Sequence, residues 1–371
     1  MATLEQGPAA TRADPLHPDA AQPFFGAAAE PAVGASARRG RLIAALDLGT
    51  NNCRMLVARA THGGFQVVDA FSRVVRLGEG LMDTGRLSEA AMDRAVTALA
   101  ACAEKLQRRA LVEVRSVATE ACRRAANGAE FVERVYRETG LALDVISPAE
   151  EARLAVLGCQ TLIDCEARQT LVFDIGGGST EVVLLERVGE GQHRRLGDVG
   201  LGEDLRMRGW TSIPWGVVSL AETAGPDAGT STARLEAFFR MKSRVAQHLA
   251  DLRRVATRDL QLLGASGTVT TLASLLMGQT VYDRKLVDGS WSSTVGLKDL
   301  GHRLAALSPA ERAAVPGIGR DRADLVVAGA AILEALLDVS RTDRVRVADR
   351  GLREGILRSM LARQPAHPDR R

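Results

Sequence analysis

The sequence predicts an α/β protein of two duplicated domains facing each other across a cleft, and three observations carry that expectation. Strand-like and helix-like segments alternate through both halves of the chain. A length of 371 residues leaves room for two domains with cores of their own. A repeat relates "LIAALDLGTNNCRMLVAR" to "QTLVFDIGGGSTEVVLLE": aligned on Asp47 and Asp174, both read strand, Asp-x-Gly, small polar residues, strand.

The elements follow in order. Residues 1–40 are rich in Ala, Pro and Gly and lack hydrophobic period, which predicts a disordered tail. From Leu42, two β-rich runs flank a polar Gly turn, and "GGFQVVDAFSRVVRLG" reads as a third strand. "SEAAMDRAVTALAACAEKLQRR" is a helix with Ser88 as its cap, followed by the strand "VRSVATEA". A helix through "AEFVERVYRETG" ends at Gly140, and "LALDVIS" is a strand. "SPAEEARLAVLGC" has a marked helix start: Ser147 caps, Pro148 fits the first helical position, and Glu150 stands where a capping box needs it. Glu151 then shares a row with Leu154, Ala155 and Gly158 and faces inward.

After the second Asp-Gly hairpin come a mixed stretch with Trp210 and Trp215, a helix through "ARLEAFFRMKSRVAQHLADLRR" and a strand-turn-helix at "LQLLGASGTVTTLASLLMG". A helix at "ADLVVAGAAILEALLDV", the strand "RVRVADRG" and the helix "LREGILRSMLAR" complete the chain.

Composition narrows the function. Hydrophobic residues at 46% and charged residues at 25% describe an ordinary globular protein. No apolar run reaches the roughly 18 residues of a membrane span, and the N-terminus lacks the basic start and apolar stretch of a secretory signal. A cytoplasmic protein without membrane association is expected. A net charge of +3 gives no reason to expect nucleic acid as a partner. The five cysteines, Cys53, Cys102, Cys122, Cys159 and Cys165, have no metal or redox spacing and are expected to be reduced and mostly packing thiols.

The Gly-rich turns carry the chemistry. Missing side chains let backbone N–H groups converge on an anion. "DIGGGSTEVVLLE" runs into a β-branched strand without a Lys, so it is neither a dinucleotide fingerprint nor a P-loop. It is a hairpin with an acidic entry, and an Asp beside a phosphate cradle calls for a hard cation such as Mg²⁺ between them.

Paired Asp-Gly hairpins in duplicated α/β domains resemble the superfamily of actin, the Hsp70 ATPase domain and sugar kinases. Within it, "LDLGTNNCRMLV", "VATEACRRAANG", "EEARLAVLG", "FDIGGGSTEVV", "GASGTVTTLA" and "DRGLREGIL" resemble the exopolyphosphatase and guanosine pentaphosphate phosphohydrolase (Ppx/GppA) family, from about Arg41 to Arg363. The resemblance implies two actin-like (ribonuclease H-like) domains, one of residues 41–157 plus 351–364 and the other of 158–350. It describes a short form without the additional C-terminal helical domain, and leaves a homodimer as an open assembly.

The implied activity is Mg²⁺- or Mn²⁺-dependent hydrolysis of a terminal phosphoanhydride, with inorganic polyphosphate as first expectation and guanosine pentaphosphate as alternative. An ATP-dependent kinase and a non-catalytic polyphosphate or guanosine tetraphosphate sensor are the rivals; the EEAR block speaks against the first and Glu151 against the second. By resemblance Glu151 is the general base, and burial is expected to raise its pKa. Glu181 is the second acidic residue, a ligand of metal or water. Asp47 and Asp174 are the metal-associated aspartates. Gly49, Thr50 and Asn51 form one phosphate turn, and Gly176, Gly177, Gly178 and Ser179 form the other. The first reads GTNN where the family often has GSNS. Arg123 is a phosphate contact, and Arg124 beside it a solvated charge. Arg54 holds in the first repeat the place of Glu181 in the second, which suits one half gripping phosphate and the other metal, and equally a surface ion pair. At "GASGTVTTLA" two readings stand side by side: a helix N-terminus that binds an anion, and ordinary capping by Ser266 or Thr268.

Overall fold

The computed structural model describes residues 40–109, 112–188, 204–225, 229–257 and 260–362. Residues 1–39 of the expected tail lie outside the described residues. In the first half, strands β1 (Leu42–Leu48), β2 (Asn52–Thr61) and β3 (Gly64–Val74) form an antiparallel meander. Helices α1 (Leu81–Thr84) and α2 (Glu89–Gln107) lead to β4 (Val112–Ala118). Helices α3 (Glu120–Arg124) and α4 (Gly128–Thr139) then lead to β5 (Leu143–Val145), and α5 (Pro148–Cys159) leaves the sheet. Strands β4 and β5 add in parallel beside β1, giving the order β3-β2-β1-β4-β5.

The second half repeats this plan. Strands β6 (Gln169–Ile175), β7 (Thr180–Arg187) and β8 (Leu205–Ile213) form the meander, followed by α6 (Val217–Glu222), α7 (Ser231–Ala246) and α8 (Ala250–Val255). Strand β9 (Gln261–Ala265) feeds α9 (Gly267–Leu276) and α10 (Arg284–Val287). Strand β10 (Trp291–Ser293) is followed by α11 (Thr294–Ala306), α12 (Pro309–Ala314), α13 (Arg320–Ala323) and α14 (Val326–Leu337), then by β11 (Arg344–Ala348) and α15 (Leu352–Ala362). The order β8-β7-β6-β9-β11 matches the first sheet strand for strand, with β10 added antiparallel at the edge. The sequence repeat is a repeat of topology.

Some local readings change. The mixed stretch around Trp210 is strand β8; its sequence "LRMRGWTSI" has no clean alternation, and pairing with β7 makes it a strand. The long helix read through residues 233–254 breaks at a 3₁₀ turn, Gln247–Leu249, into α7 and α8. Strand β10 and helices α1, α6, α10, α11, α12 and α13 add to the elements expected from the sequence, β10 being too short at three residues to display a period. The start of α5 is capped as expected, Ser147 Oγ accepting from Glu150 N–H at 3.2 Å, with Pro148 opening the helix. The Glu150 side chain does not close the expected box, however. Its carboxylate takes Arg115 at 3.0 Å and Arg153 at 2.7 Å, because charge-assisted bonds outbid a neutral amide.

The central strands of both sheets are buried on both faces, so the structure stacks in five layers. Along β1, Ala44, Leu46 and Leu48 face α2 and α4, while Ile43 and Ala45 face a central layer. Along β6 and β7, Leu171, Phe173, Val182 and Leu184 face α7, α9, α11 and α14, while Val172, Val183 and Leu185 face the same central layer. That layer is made of α5, lying against β6, β7 and β8, and α15, lying against β1, β2 and β3.

The two central helices meet backbone to backbone. A methyl group on Gly158 would overlap the carbonyl of Gly351, and one on Gly355 the carbonyl of Leu154. Gly355→Ala is therefore expected to force the helices apart and to cost about 1–3 kcal/mol of stability through overpacking, read as a lower midpoint in denaturant unfolding. Gly209→Ala in β8, where no atom lies within 4 Å of the added methyl, is the control and is expected within about 0.5 kcal/mol of the parent.

Candidate active site

Strand periodicity aims the charged residues. Asp47 continues the face of Ile43 and Ala45, Arg54 that of Leu56 and Ala58, Asp174 that of Val172, and Glu181 that of Val183 and Leu185. All four charges thus face the central layer from the strand ends at the two hairpins. Register pairs Asp47 with Arg54 and Asp174 with Glu181, so the equivalence between Arg54 and Glu181 holds residue for residue.

The hairpins have the same construction. Each closes through four residues, with Gly49 N–H donating to Asn52 C=O at 2.9 Å and Gly176 N–H to Ser179 C=O at 3.0 Å. Each is also pinned by the segment after its third strand. In the first, Val75 and Arg76 N–H donate to Asn51 C=O at 2.9 and 3.0 Å, and Gly78 N–H donates to Thr50 C=O at 2.9 Å. In the second, Val217 N–H donates to Gly176 C=O at 2.9 Å and Val218 N–H to Gly177 C=O at 2.8 Å, while Ser219 Oγ donates to Gly178 C=O at 3.1 Å. A trans peptide places the next N–H opposite each pinned carbonyl. The amides of Asn51, Asn52, Gly177, Gly178 and Ser179 are thereby turned away from the pins, as an anion cradle requires.

The turns touch. A Cβ on Gly177 would come within 2.9 Å of Thr50 Cβ, and one on Gly178 within 2.7 Å of Thr50 Oγ1 and 2.9 Å of Glu120 Cγ. The recess left beside them, lined by Thr50, Gly78, Glu120, Arg124, Gly178 and Ser219 among others, holds about 10 Å³. Arg124 is exposed, as a solvated helix charge should be.

Helix α5 brings Glu151 in from its first turn, buried in the same row as Leu154, Ala155 and Gly158. Arg123 of α3 lies 3.3 Å from its Oε2. Burial, and then the charge of Glu181, hold the Glu151 carboxyl well above the ordinary carboxylate range against the opposing pull of Arg123. Burial and Glu181 likewise raise Asp174 to about 7. Burial raises Glu181 itself to about 7, opposed by hydrogen bonds from Ser179 and Ser212, the latter at 2.9 Å. Asp47 is raised by burial and lowered by Arg54 and Arg353, while burial and Arg353 depress Arg54 against the pull of Asp47. These mutual influences bring Asp47, Arg54, Asp174, Glu181 and Glu151 into one electrostatic cluster.

Arg123, the residue expected to contact phosphate, is surrounded by protein acceptors. Its guanidinium gives Nε and Nη2 to Glu120 at 3.1 and 2.6 Å, Nη1 to Ile146 C=O at 2.6 Å, and Nη1 and Nη2 to Glu151 at 3.3 Å. Sequence reasoning passed over Glu120, although its place three residues before Arg123 on a helix was a usable signal. It also passed over Ser212, over Arg353 inside the quoted "DRGLREGIL", and over the two pinning segments, which carry no motif. Ser266 caps α9, its Oγ accepting from Thr268 and Val269 N–H at 3.2 Å.

The donor set suits a hard cation in its chemistry. Oδ1 of Asp47 and Oδ1 of Asn51 are buried without a hydrogen-bond partner, and such oxygens are what Mg²⁺ or Ca²⁺ satisfies. Among the described residues no three acidic, His or Cys side chains converge as a ready-made metal cage. Among the described residues, too, no helix is long and apolar enough to cross a membrane.

Two actin-like domains each present a pinned hairpin to the other beside a buried cluster of carboxylates. The chain matches the Ppx/GppA phosphatase family over residues 56–364 and belongs to it. It is 31% identical over 325 residues to a putative exopolyphosphatase of Haemophilus influenzae, covering 86% of this chain and 91% of that protein. It is 30% identical over 319 residues to a guanosine-5'-triphosphate,3'-diphosphate pyrophosphatase of Pseudoalteromonas translucida, of which it spans 59%. Among solved structures, the Aquifex aeolicus family member superposes with a TM-score of 0.68 at 30% identity, over 86% of this chain and 97% of that one. An exopolyphosphatase from Cytophaga hutchinsonii gives 0.73 at 27% identity, over 86% and 98%.

The raised carboxyls have a consequence for stability. Asp174 and Glu181 move from 3.8 and 4.5 up to about 7 on folding, so between those values the native state binds more protons than the unfolded chain. Stability in chelator is expected to be full below about pH 4 on this account and to decline as pH rises through about 7. Urea midpoints at pH 5.5 and 8 test it: the midpoint should be lower at pH 8, and Asp174→Asn should flatten the difference.

Proposed function

We propose that the protein hydrolyses terminal phosphoanhydride bonds and releases orthophosphate from inorganic polyphosphate. The observation that carries the reading is Glu151, a buried carboxyl held above the usual range at the junction of the two hairpins. Burial makes this carboxylate more basic than an exposed one, which suits proton transfer from water. The relative from Haemophilus influenzae, named as a putative exopolyphosphatase and covered over 91% of its length, supports the substrate class.

The terminal phosphate enters between the hairpins, whose contact at Gly177 and Thr50 must open to admit it. The amides of Gly177, Gly178 and Ser179 receive its oxygens from one side and those of Asn51 and Asn52 from the other. Glu151 takes a proton from the attacking water as its oxygen bonds to phosphorus and the bridging P–O bond breaks, and the displaced phosphate oxygen leaves with the shortened chain. Asp47 and Asp174, with Glu181 beside them, would hold Mg²⁺. Such an ion would supply charge neutralisation at the phosphoryl oxygens. A cytoplasmic setting fits this chemistry.

A second reading is removal of the 5'-γ-phosphate from guanosine pentaphosphate, favoured by the Pseudoalteromonas translucida relative. Phosphate release from tripolyphosphate, long-chain polyphosphate and guanosine pentaphosphate, with and without Mg²⁺, distinguishes the two. Glu151→Gln is expected to lower kcat by about 10²–10⁴ with KM little changed. Undiminished turnover by that variant would remove Glu151 as the base.

A further inference from the structure

The fork of Arg123 has no donor to spare. A guanidinium carries five N–H groups. Here Nε serves Glu120, Nη1 serves Ile146 C=O and Glu151, and Nη2 serves Glu120 and Glu151. The shortest of the carboxylate contacts is the one to Glu120, at 2.6 Å.

Glu120 is also placed at the substrate's door. Its Cγ lies against Gly178 of the second hairpin, and Gly178 in turn lies against Thr50 of the first. Glu120 and Gly178 line the same small recess with Arg124 and Ser219. A carboxylate that takes an arginine fork beside two anion cradles stands where a phosphate of substrate would take it, since both groups bind guanidinium through the same pair of parallel N–H bonds. Its partner is held from the other side: Ile146 C=O and Glu151 keep Arg123 in place whether or not Glu120 is engaged.

We propose that Glu120 is an internal competitor of substrate phosphate, a positioning residue that occupies the Arg123 fork until an incoming phosphate displaces it and so sets the affinity of the site. The proposal rests on the phosphoanhydride reading of the site and deepens it. A single phosphate must exchange places with an attached carboxylate, whereas a chain with several phosphates on the cradles offsets that exchange with further contacts. The expected result is discrimination against orthophosphate, the product, in favour of longer chains.

The test measures binding apart from turnover. Methylenediphosphonate, whose P–C–P bridge cannot be hydrolysed, is titrated calorimetrically into the full-length protein at fixed ionic strength with Mg²⁺. Glu120→Gln keeps the shape and removes the charge; Glu120→Asp keeps the charge and shortens the reach. Both are expected to tighten binding, Glu120→Gln by about tenfold, the scale of a lost hydrogen bond to a charged group. Both should lower KM for tripolyphosphate more than they change kcat. In an Arg123→Gln background the gain from Glu120→Gln should vanish. Equal tightening in that background would overturn the proposal in favour of simple charge repulsion; unchanged or weaker binding by Glu120→Gln and Glu120→Asp, or no measurable binding by any variant, would overturn it outright. Thermal unfolding of each variant identifies loss of fold, and Glu120→Asp carries the test if Glu120→Gln proves unstable. A wild type that binds the analogue yet releases phosphate from no anhydride defeats the hydrolase reading alone.

Discussion

The backbone contact between α5 and α15 is the constraint from which the rest follows. Gly158 and Gly355 let each helix seat against a carbonyl of the other segment, so the central layer is as thin as two helices can make it. Each helix lies against one sheet, α5 against the second and α15 against the first. The distance between the sheets is therefore set by two glycines, and so is the distance between the hairpins at the strand ends. A larger residue at either place would push the two helices apart, and close-packed interiors transmit such a displacement to the sheets they carry.

Inside that thin layer the strand ends break the apolar pattern. Where Ile43, Ala45 and Val172 would predict another aliphatic residue, the chain has Asp47 and Asp174, with Arg54 and Glu181 opposite them. Burying like charges together is unfavourable, and the fold accepts it by raising Asp174 and Glu181 to about 7. Local rules violated together at one place are the mark of a functional site. Across the hairpin from its aspartate, the first repeat places a cation, Arg54, where the second places Glu181.

The arginine network adds a second layer of control. Arg123 is shared between Glu151 and Glu120, and Arg350 pairs with Asp288 while Arg284 joins Asp349 to Glu354. The latter pairs fasten the turn that opens α15, whose Arg353 bears on Asp47 and Arg54. The potential at the hairpins is thus tied to the seating of the central helices.

Much of this was legible in the residues. The repeat about Asp47 and Asp174, the hairpins, the capped start of α5 and the inward row of Glu151 depend on local periodicity and turn chemistry, which a linear sequence displays. By resemblance, the family could be read from the same blocks. Strand β8 and the break between α7 and α8 could not, since pairing and packing overrode weak local preference there. The same holds for the Glu150 carboxylate, diverted to Arg115 across 35 positions. Sequence alone determined which residues carry charge and which way each strand presents them. Only the tertiary structure decided that Arg123 is fully engaged, that the two hairpins touch, and that Glu120 lies against Gly178 of the second, because those facts depend on distances between segments that the chain order does not encode.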